Sequence, residues 1–548
     1  MNCSTICLPT APRQMPWCGV AGAAVGLLCA SLWPTSVVAQ ETPAIALASK
    51  ITIVPRVSVA ETFTNNVRLD NANKRAELIT QVSPGIRISS SGGRIRGSID
   101  YALTESLYAN NTSARQSQNS LTAAGTLEAV DNWAFLDFSG SISQQAISAF
   151  GKPSSGGVLA GGNSTETSVY RLSPYIRGQI AGLATYEARY SITSLSSASA
   201  AAADSEQRDA SLRLSGGQSS YGLSWGLDAN HQVVAYSGAG RSTSSSAING
   251  RLQYALNERW AAYARIGHES NDFSALTGQQ SDFVALGGTW TPNPDLRVSL
   301  DQDTRGFTGL GINWVPSKRT SVTVTRNKQL YGTTHAVVLG YRTSNTAWTF
   351  SDSRGVSSSP AQGAGVQPPS LYDLLTSQFA AAEPDIVKRE QYDAFLLANG
   401  VRPNASAIGG FLSSSVSLQR SQQLSFALFG ARSTLSMFVT RSHNTRLDTL
   451  STAVDDFLTA SAVTQNGLSA NYAYRLTAKS VVSVAAARQA SSGSNTNAGT
   501  SSKTFNVNLS TQLTRDTSAS VGARRVIFDS TATPYSETAV TGNLQVRF

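Results

Sequence analysis

Gly222-Leu223-Ser224-Trp225-Gly226 fits the G-x-S-x-G pattern, in which a strained strand-to-helix turn lifts a nucleophilic serine above a sheet. The geometry needs a helix to follow. Here Leu223, Trp225, Leu227 and Ala229 alternate with Ser224, Gly226, Asp228 and Asn230, the period of an unbroken strand. Ser224 is therefore expected to be an ordinary strand residue. His231, His268, His335 and His443 lie far apart and show no metal-ligand spacing. No catalytic residue, metal site or cofactor is expected, and the chain reads as a protein other than an enzyme.

Charged residues, by contrast, recur in a pattern. Arg94, Arg96, Arg171, Arg177, Arg189, Arg213, Arg251, Arg265 and Arg297 fall on the polar side of alternating segments, with the fewer acids Asp100, Glu128, Glu187, Asp228 and Asp301. If these segments line a pore, rings of charge would tune its selectivity toward anions or an acidic glycan. The simpler reading, and the preferred one, is a solvated lumen whose charges pair across strands.

The elements that would position these side chains follow from the period of two that dominates from about residue 51 onward. Ala184 to Thr193 alternates without a break, as do Arg94–Leu103 and Tyr170–Ile180. Each run thus has one apolar and one polar face. A soluble sandwich would have to hide the apolar faces in domains far smaller than this chain. No window after residue 39 approaches the ~20 apolar residues of a spanning helix. A membrane location therefore requires a closed barrel, apolar side to lipid and polar side to a wet lumen.

Connections alternate in length. Short turns at Ser90–Gly93, Asp131–Asn132, Ala181–Leu183, Asn257–Arg259, Pro292–Asp295 and Pro316–Arg319 are separated by longer polar loops such as 64–75, 146–166, 195–206, 235–246 and 489–502. Short periplasmic turns and long outer loops are the pattern of an outer-membrane barrel. Trp133, Trp260, Trp290, Trp314 and Trp348 lie within two residues of short turns, where an interfacial aromatic girdle belongs. Val540, Gly542, Leu544, Val546 and Phe548 alternate to a terminal phenylalanine, resembling the strand that the barrel-assembly machinery reads. Setting aside the weak candidate 412–419 gives about 24 strands, an all-β antiparallel transmembrane barrel within the size range of such proteins.

Residues 1–39 read as a cleavable export signal. Arg13 supplies its positive charge, Val20–Leu32 its apolar run, and Val37-Val38-Ala39 the cleavage site. Leu28 before Cys29 argues against a lipoprotein anchor. Cys3, Cys7, Cys18 and Cys29 all lie in this leader, so disulfides and thiolate metal sites are excluded from the mature chain. Loss of Arg13 lowers the formal charge from +9 to +8. The cations are scattered singly, which with the export signal argues against nucleic acid as a partner. The expected organisation is a short periplasmic segment at 40–50, then a barrel over 51–548 inserted in outer-membrane lipid.

Residues 354–411 break the period of two. Ser370 and Asp373 form a capping box before Leu371, Leu374, Leu375 and Phe379 at helical spacing, and Pro384 opens a second helical segment ended by Gly400. This insertion falls on the outer side and is a candidate plug, with Leu371, Leu374, Leu375 and Phe379 as its constricting face; a lid on the rim fits equally.

Lys50–Val67 (KITIVPRVSVAETFTNNV), Val82–Ile86 (VSPGI), Trp290–Pro294 (WTPNP), Trp314–Thr320 (WVPSKRT), Leu371–Leu375 (LYDLL), Tyr474–Thr477 (YRLT) and Tyr535–Thr538 (YSET) together resemble the outer-membrane proteins associated with the PEP-CTERM/exosortase system. That system accompanies exopolysaccharide production. The resemblance implies a porin-like barrel in the cell outer membrane, linked to exopolysaccharide export or surface assembly, with exopolysaccharide or its export proteins as partners. The family supplies no catalytic residues to carry over. A diffusion porin and a surface-binding barrel with a filled lumen are the alternatives.

Overall fold

A computed structural model describes residues 51–548 except 91, 111–114, 154–161, 181, 200–203, 219–221, 238–240, 274–278, 358–410, 414, 448–454 and 495–498. The first strands are β1 (Ile51–Thr64), β2 (Glu77–Ser90), β3 (Ile95–Tyr108), β4 (Gln116–Val130), β5 (Ala134–Ala146) and β6 (Ser164–Ile180). Next come β7 (Ala184–Ser197), β8 (Ser205–Gln218), β9 (Leu223–Tyr236), β10 (Arg241–Ala255), β11 (Trp260–Asn271) and β12 (Gln279–Asn293). They continue as β13 (Leu296–Asp303), β14 (Thr308–Ser317), β15 (Thr320–Gln329), β16 (Gly332–Arg342), β17 (Thr346–Ser357) and β18 (Ser417–Phe429). The last are β19 (Ser433–Arg446), β20 (Ala462–Arg475), β21 (Ser480–Gly493), β22 (Gly499–Gln512), β23 (Thr517–Ser530) and β24 (Tyr535–Arg547).

Each strand pairs antiparallel with its sequence neighbours, and β24 pairs with β1, from Arg56↔Arg547 to Thr64↔Ala539. The sheet is thus a closed 24-stranded barrel. Closure removes the edges that an open sheet would leave unpaired, which is what lets strands cross a membrane. The strand total matches the expectation from sequence. The segment before β18 adds only an isolated bridge between Phe411 and Ala146.

Residues paired across an antiparallel ladder share a face. Ile99, Leu172, Tyr190, Leu212, Leu252, Ile266, Leu286 and Val439 are all exposed and all belong to one face, which forms an apolar outer band. Trp133, Trp260, Trp290, Trp314 and Trp348 are likewise exposed, near the short-turn end. Trp260 stacks on Trp290 at 6.0 Å, and Trp348 lies 4.3 Å from Phe426. The band and its girdle are those of an outer-membrane barrel.

Height varies round the wall. β13 has 8 residues, β14 and β15 have 10 each and β16 has 11, against 14 or more in most other strands. At ~3.3 Å per residue these strands run roughly 26–36 Å along their own axes, about the thickness of the hydrocarbon core and no more. β17 runs on to Ser357, so regular strand continues past residue 354, where the insertion is expected from sequence to begin. The leader, the 40–50 segment, and the proposed constricting residues Leu371, Leu374, Leu375 and Phe379 lie outside the described residues.

Candidate functional site: a lumen with two unlike walls

The polar side of each strand faces the lumen, and from β5 to β13 it carries charge. Arg189 lies 2.6 Å from Asp137 and 3.4 Å from Glu187. Arg213 meets Asp228 at 3.0 Å, and Arg265 meets Asp301 at 2.7 Å. Round the wall, Arg56 forms a two-pronged pair with Asp100. Arg171 donates to Ser173 and Ser191. The cross-strand pairing preferred from sequence is therefore present. It is incomplete, because Arg96 and Arg297, opposite Thr126 and Asn313, have no ion-pair partner among the described residues.

Aromatic rings support these guanidinium groups. Phe135 stacks on Tyr175 at 5.0 Å, Arg177 lies 4.5 Å over Phe135, and Arg189 lies 3.8 Å over Tyr175. Arg251 sits 3.8 Å over Tyr263, whose hydroxyl donates to Asp301 at 3.1 Å. Arginine suits such a site because its planar cation can stack and still donate from its edge. Phe135 and Tyr263 are buried beneath the arginines and Tyr175 is half-buried, so the surface offered to a solute is mainly cationic.

The opposite wall is neutral. The lumen side of β17–β22 presents Ser351, Gln423, Thr440, Gln465, Gln489, Ser502, Asn506 and Asn508, each opposite another small or amide side chain. Between Arg446 and Arg475 at its two ends, this face has no Asp, Glu, Lys or Arg among the described residues. Such a surface exchanges hydrogen bonds in both directions with hydroxyl groups.

At the extracellular end a strap crosses between the walls. β5 stays paired with β6 up to Ala146↔Ser164 but parts from β4 beyond Leu121↔Ile142. The side chain of Glu166 accepts hydrogen bonds from the Asn119 backbone and amide, filling the place that β5 leaves. The freed hairpin tip reaches the far wall. Ser148 Oγ and the Ala149 N–H both donate to Asp456, at 2.6 and 2.7 Å. Leu412 N–H donates to the Ala146 carbonyl, and Lys152 Nζ donates to the Leu69 carbonyl. The Tyr535 hydroxyl donates to the Pro153 carbonyl at 2.8 Å. Burial pushes the Asp456 carboxyl above its usual range, against the pull of its two donors.

Two inward apolar clusters hold the crossing. Val67, Leu69, Ile79, Tyr108, Val526, Phe528 and Tyr535 form one, and Phe411, Phe457, Ala460 and Val463 form the other, with Ala149 and Phe150 packed on it. A cavity of about 250 Å³ remains between strap and wall, lined by Gln145, Asn163, Gln465, Gln489, Ser491 and Ser502 among others.

Of the residues selected from sequence, Asp100, Arg171, Arg177, Glu187, Arg189, Arg213, Asp228, Arg251 and Arg265 all enter this lumen network, while Arg94 precedes β3 and pairs with Asp131 at the short-turn rim. Ser224 is a strand residue of β9 opposite Gln253, with no helix after it. No cluster of metal-ligating side chains occurs among the described residues. Sequence reasoning missed Arg56, Asp137 and the strap. Arg56 and Asp137 obey the same alternation and were open to discovery, whereas Asp456 sits in a loop with no period to mark it.

No family model and no curated protein matches the sequence. Among solved structures, the FrpB iron transporter of Neisseria meningitidis (F3-3 variant) aligns over 90% of this chain and 82% of its own, at 9% identity and TM-score 0.44. The siderophore receptor PirA of Pseudomonas aeruginosa aligns over 90% and 80%, at 8% and 0.37. OccK3 (OpdO) of the same species aligns over 90% and 95%, at 11% and 0.30. Likeness this distant leaves the assignment to the chain's own strand pairing and apolar band, which define an outer-membrane β-barrel. It is porin-like in that its polar faces turn inward.

Proposed function

We propose that this barrel is an outer-membrane conduit for an anionic, hydroxyl-rich polymer, acting in exopolysaccharide export or surface assembly. The observation that carries the reading is the pairing of an arginine wall with an uncharged Ser/Thr/Asn/Gln wall. A polymer with both carboxylates and hydroxyls has a use for each. Excess guanidinium charge draws the anion in, and many weak hydrogen-bonding sites on the opposite face let it move on rather than stick. The sequence resemblance to PEP-CTERM-associated outer-membrane proteins supports the same assignment.

The test is conductance in planar bilayers under a salt gradient, with acidic and neutral oligosaccharides as blockers. Anion preference with block by the acidic oligomer alone is expected; cation preference, or block by neither, would overturn the reading. Deleting the gene should also abolish surface polysaccharide without altering its synthesis.

The strap favours a second reading, a surface-binding barrel whose lumen stays closed. A folded protein that never conducts, even with residues 147–163 replaced by a short Gly/Ser linker, would select it.

A further inference from the structure

A second set of cations lies on the outer surface. On β19–β23 the exposed face carries Arg441, Arg488, Lys503 and Arg525, and Arg420 on the adjoining β18 extends the row. These residues share the face of the apolar band, as the ladder shows. Arg488 is opposite Leu468 on one side and Lys503 on the other, Arg525 is opposite Phe505, and Arg441 follows Val439 on the same face. Leu468, Phe505 and Val439 are all exposed outer-face residues.

The row also lies at a constant height. From Arg441 the ladder leads through Asn466 to Ala490, and Arg488 is one outward position nearer the short-turn end. Lys503 is level with Arg488, and Arg525 steps down once more from Ile527. The tryptophan girdle descends the same way. Tyr254 faces Ala262 one outward position from Trp260, and Trp290 faces Val298 one outward position from Leu296, the partner of Trp314. Two rows descending alike across tilted strands run parallel, so the cations border the apolar band on its extracellular side.

Arg441, Arg488 and Arg525 have no ion-pair partner among the described residues, and Lys503 reaches Asp529 only at 3.6 Å. Elsewhere on the same boundary, β1 and β3 place Glu61 and Glu105 outward. Within the sector, Arg420 is held by Asp352 at 2.6 Å and Lys503 leans toward Asp529, so Arg441, Arg488 and Arg525 are the cations left over for a ligand.

We infer that the β18–β23 sector is a binding site for the phosphate groups of an outer-leaflet lipid, whose acyl chains lie on the apolar strip beneath. The occupant follows from the two-part chemistry. Unpaired guanidinium groups bind phosphate in a forked geometry, and the Val439, Leu468, Val484, Phe505 and Val507 surface directly below matches alkyl chains. A soluble anion would use only the upper half. Basic side chains at a membrane surface attract anionic headgroups even when singly exposed.

The experiment uses the full-length barrel, reconstituted in nanodiscs of zwitterionic lipid containing trace diphosphorylated lipid A or its dephosphorylated form. Lipid retained through purification is measured for the native protein, for the Arg441→Gln/Arg488→Gln/Lys503→Gln/Arg525→Gln variant, and for Glu61→Gln/Glu105→Gln. Retention of the phosphorylated lipid should fall about fivefold or more in the basic-sector variant and stay unchanged in the acidic pair. Heat-modifiable migration checks that each barrel is closed. If the quadruple variant does not fold, Arg441→Gln/Arg488→Gln carries the same comparison. Equal retention in native and variant, equal retention of the dephosphorylated lipid, or displacement by millimolar inorganic phosphate would each overturn the inference.

Discussion

The charged wall of β5–β13 and the neutral wall of β17–β22 are built from the same strand geometry and differ only in what the alternation delivers inward. On the charged side, large side chains interlock. Arg189 is fixed at once by Asp137, Glu187 and the ring of Tyr175, and Arg265 by Asp301. On the neutral side, short side chains such as Ser351, Ser425 and Thr440 reach only a few ångströms into the lumen. A pore can therefore be polar all round and still be functionally one-sided, with specificity on one wall and lubrication on the other.

The comparison presupposes that both walls are seen from inside, and the largest expected effect tests that. Ile99 lies on the exposed apolar face and Arg96 on the lumen face of the same strand. Ile99→Arg should cost roughly 2–4 kcal/mol if it sits near mid-bilayer. Arg96→Ile should cost far less. Unfolding midpoints in urea that fall equally for both would break the assignment of faces.

Next in size is the contrast between walls. Arg213→Gln/Arg265→Gln removes two cations and leaves Asp228 and Asp301 without their partners. Anion-over-cation permeability should drop roughly fivefold, on the order of 1 kcal/mol of lost interaction in a wet pore. The equally polar pair Gln423→Ala/Asn506→Ala should leave charge selectivity unaltered and slow only hydroxyl-bearing solutes. Reversal potentials read both.

The strap links the walls, so releasing it sharpens the comparison by exposing each one. Asp456→Ala deletes the acceptor for Ser148 and Ala149, a change worth about 1–3 kcal/mol for buried hydrogen bonds. Single-channel conductance should rise, and an unchanged value would show that the hairpin tip is held by its apolar packing alone.

The smallest effect is that of pH. Asp456 has a higher pKa with the strap docked than it would have free in water, because docking buries it. Docking therefore takes up a proton. It should strengthen as pH falls through the interval between the free and docked values, weaken as pH rises back through it, and level off on either side. Conductance should decline as pH falls through that interval in the native protein and lose that dependence in Asp456→Asn.

The barrel was legible because its signal is repetitive. Dozens of alternations such as Tyr186/Glu187 and Tyr190/Ser191 all vote for one architecture, and the turn residues count the strands. The same alternation placed Arg177, Arg213 and Arg251 inward. It could not say that Arg177 would rest on Phe135 of the adjacent strand, since that depends on register between strands. The strap was beyond reach for a different reason. Its anchor, Asp456, is separated from Ser148 by 308 residues, and nothing local marks either one. The neutral wall was overlooked because serine and asparagine in strands read as background until their partners across the sheet are known.

The joint between β1 and β24 has a kinetic meaning. β1 pairs with β2 from Ile51 to Thr64 but with β24 only from Arg56 to Thr64, so the joint is shorter than the hairpin beside it. Its extracellular end is pinned by Thr64 to Glu537, by Thr62 to Thr541 and by Asn66 to the Ser536 carbonyl. Every other ladder joins neighbours along the chain; this one joins segments 473 residues apart. Closing a loop of that length in one step would cost on the order of 5 kcal/mol in chain entropy, whereas adding hairpins one at a time keeps each closure local. The cylinder should therefore grow as an open, curling ribbon and zip shut last, starting from the pinned end.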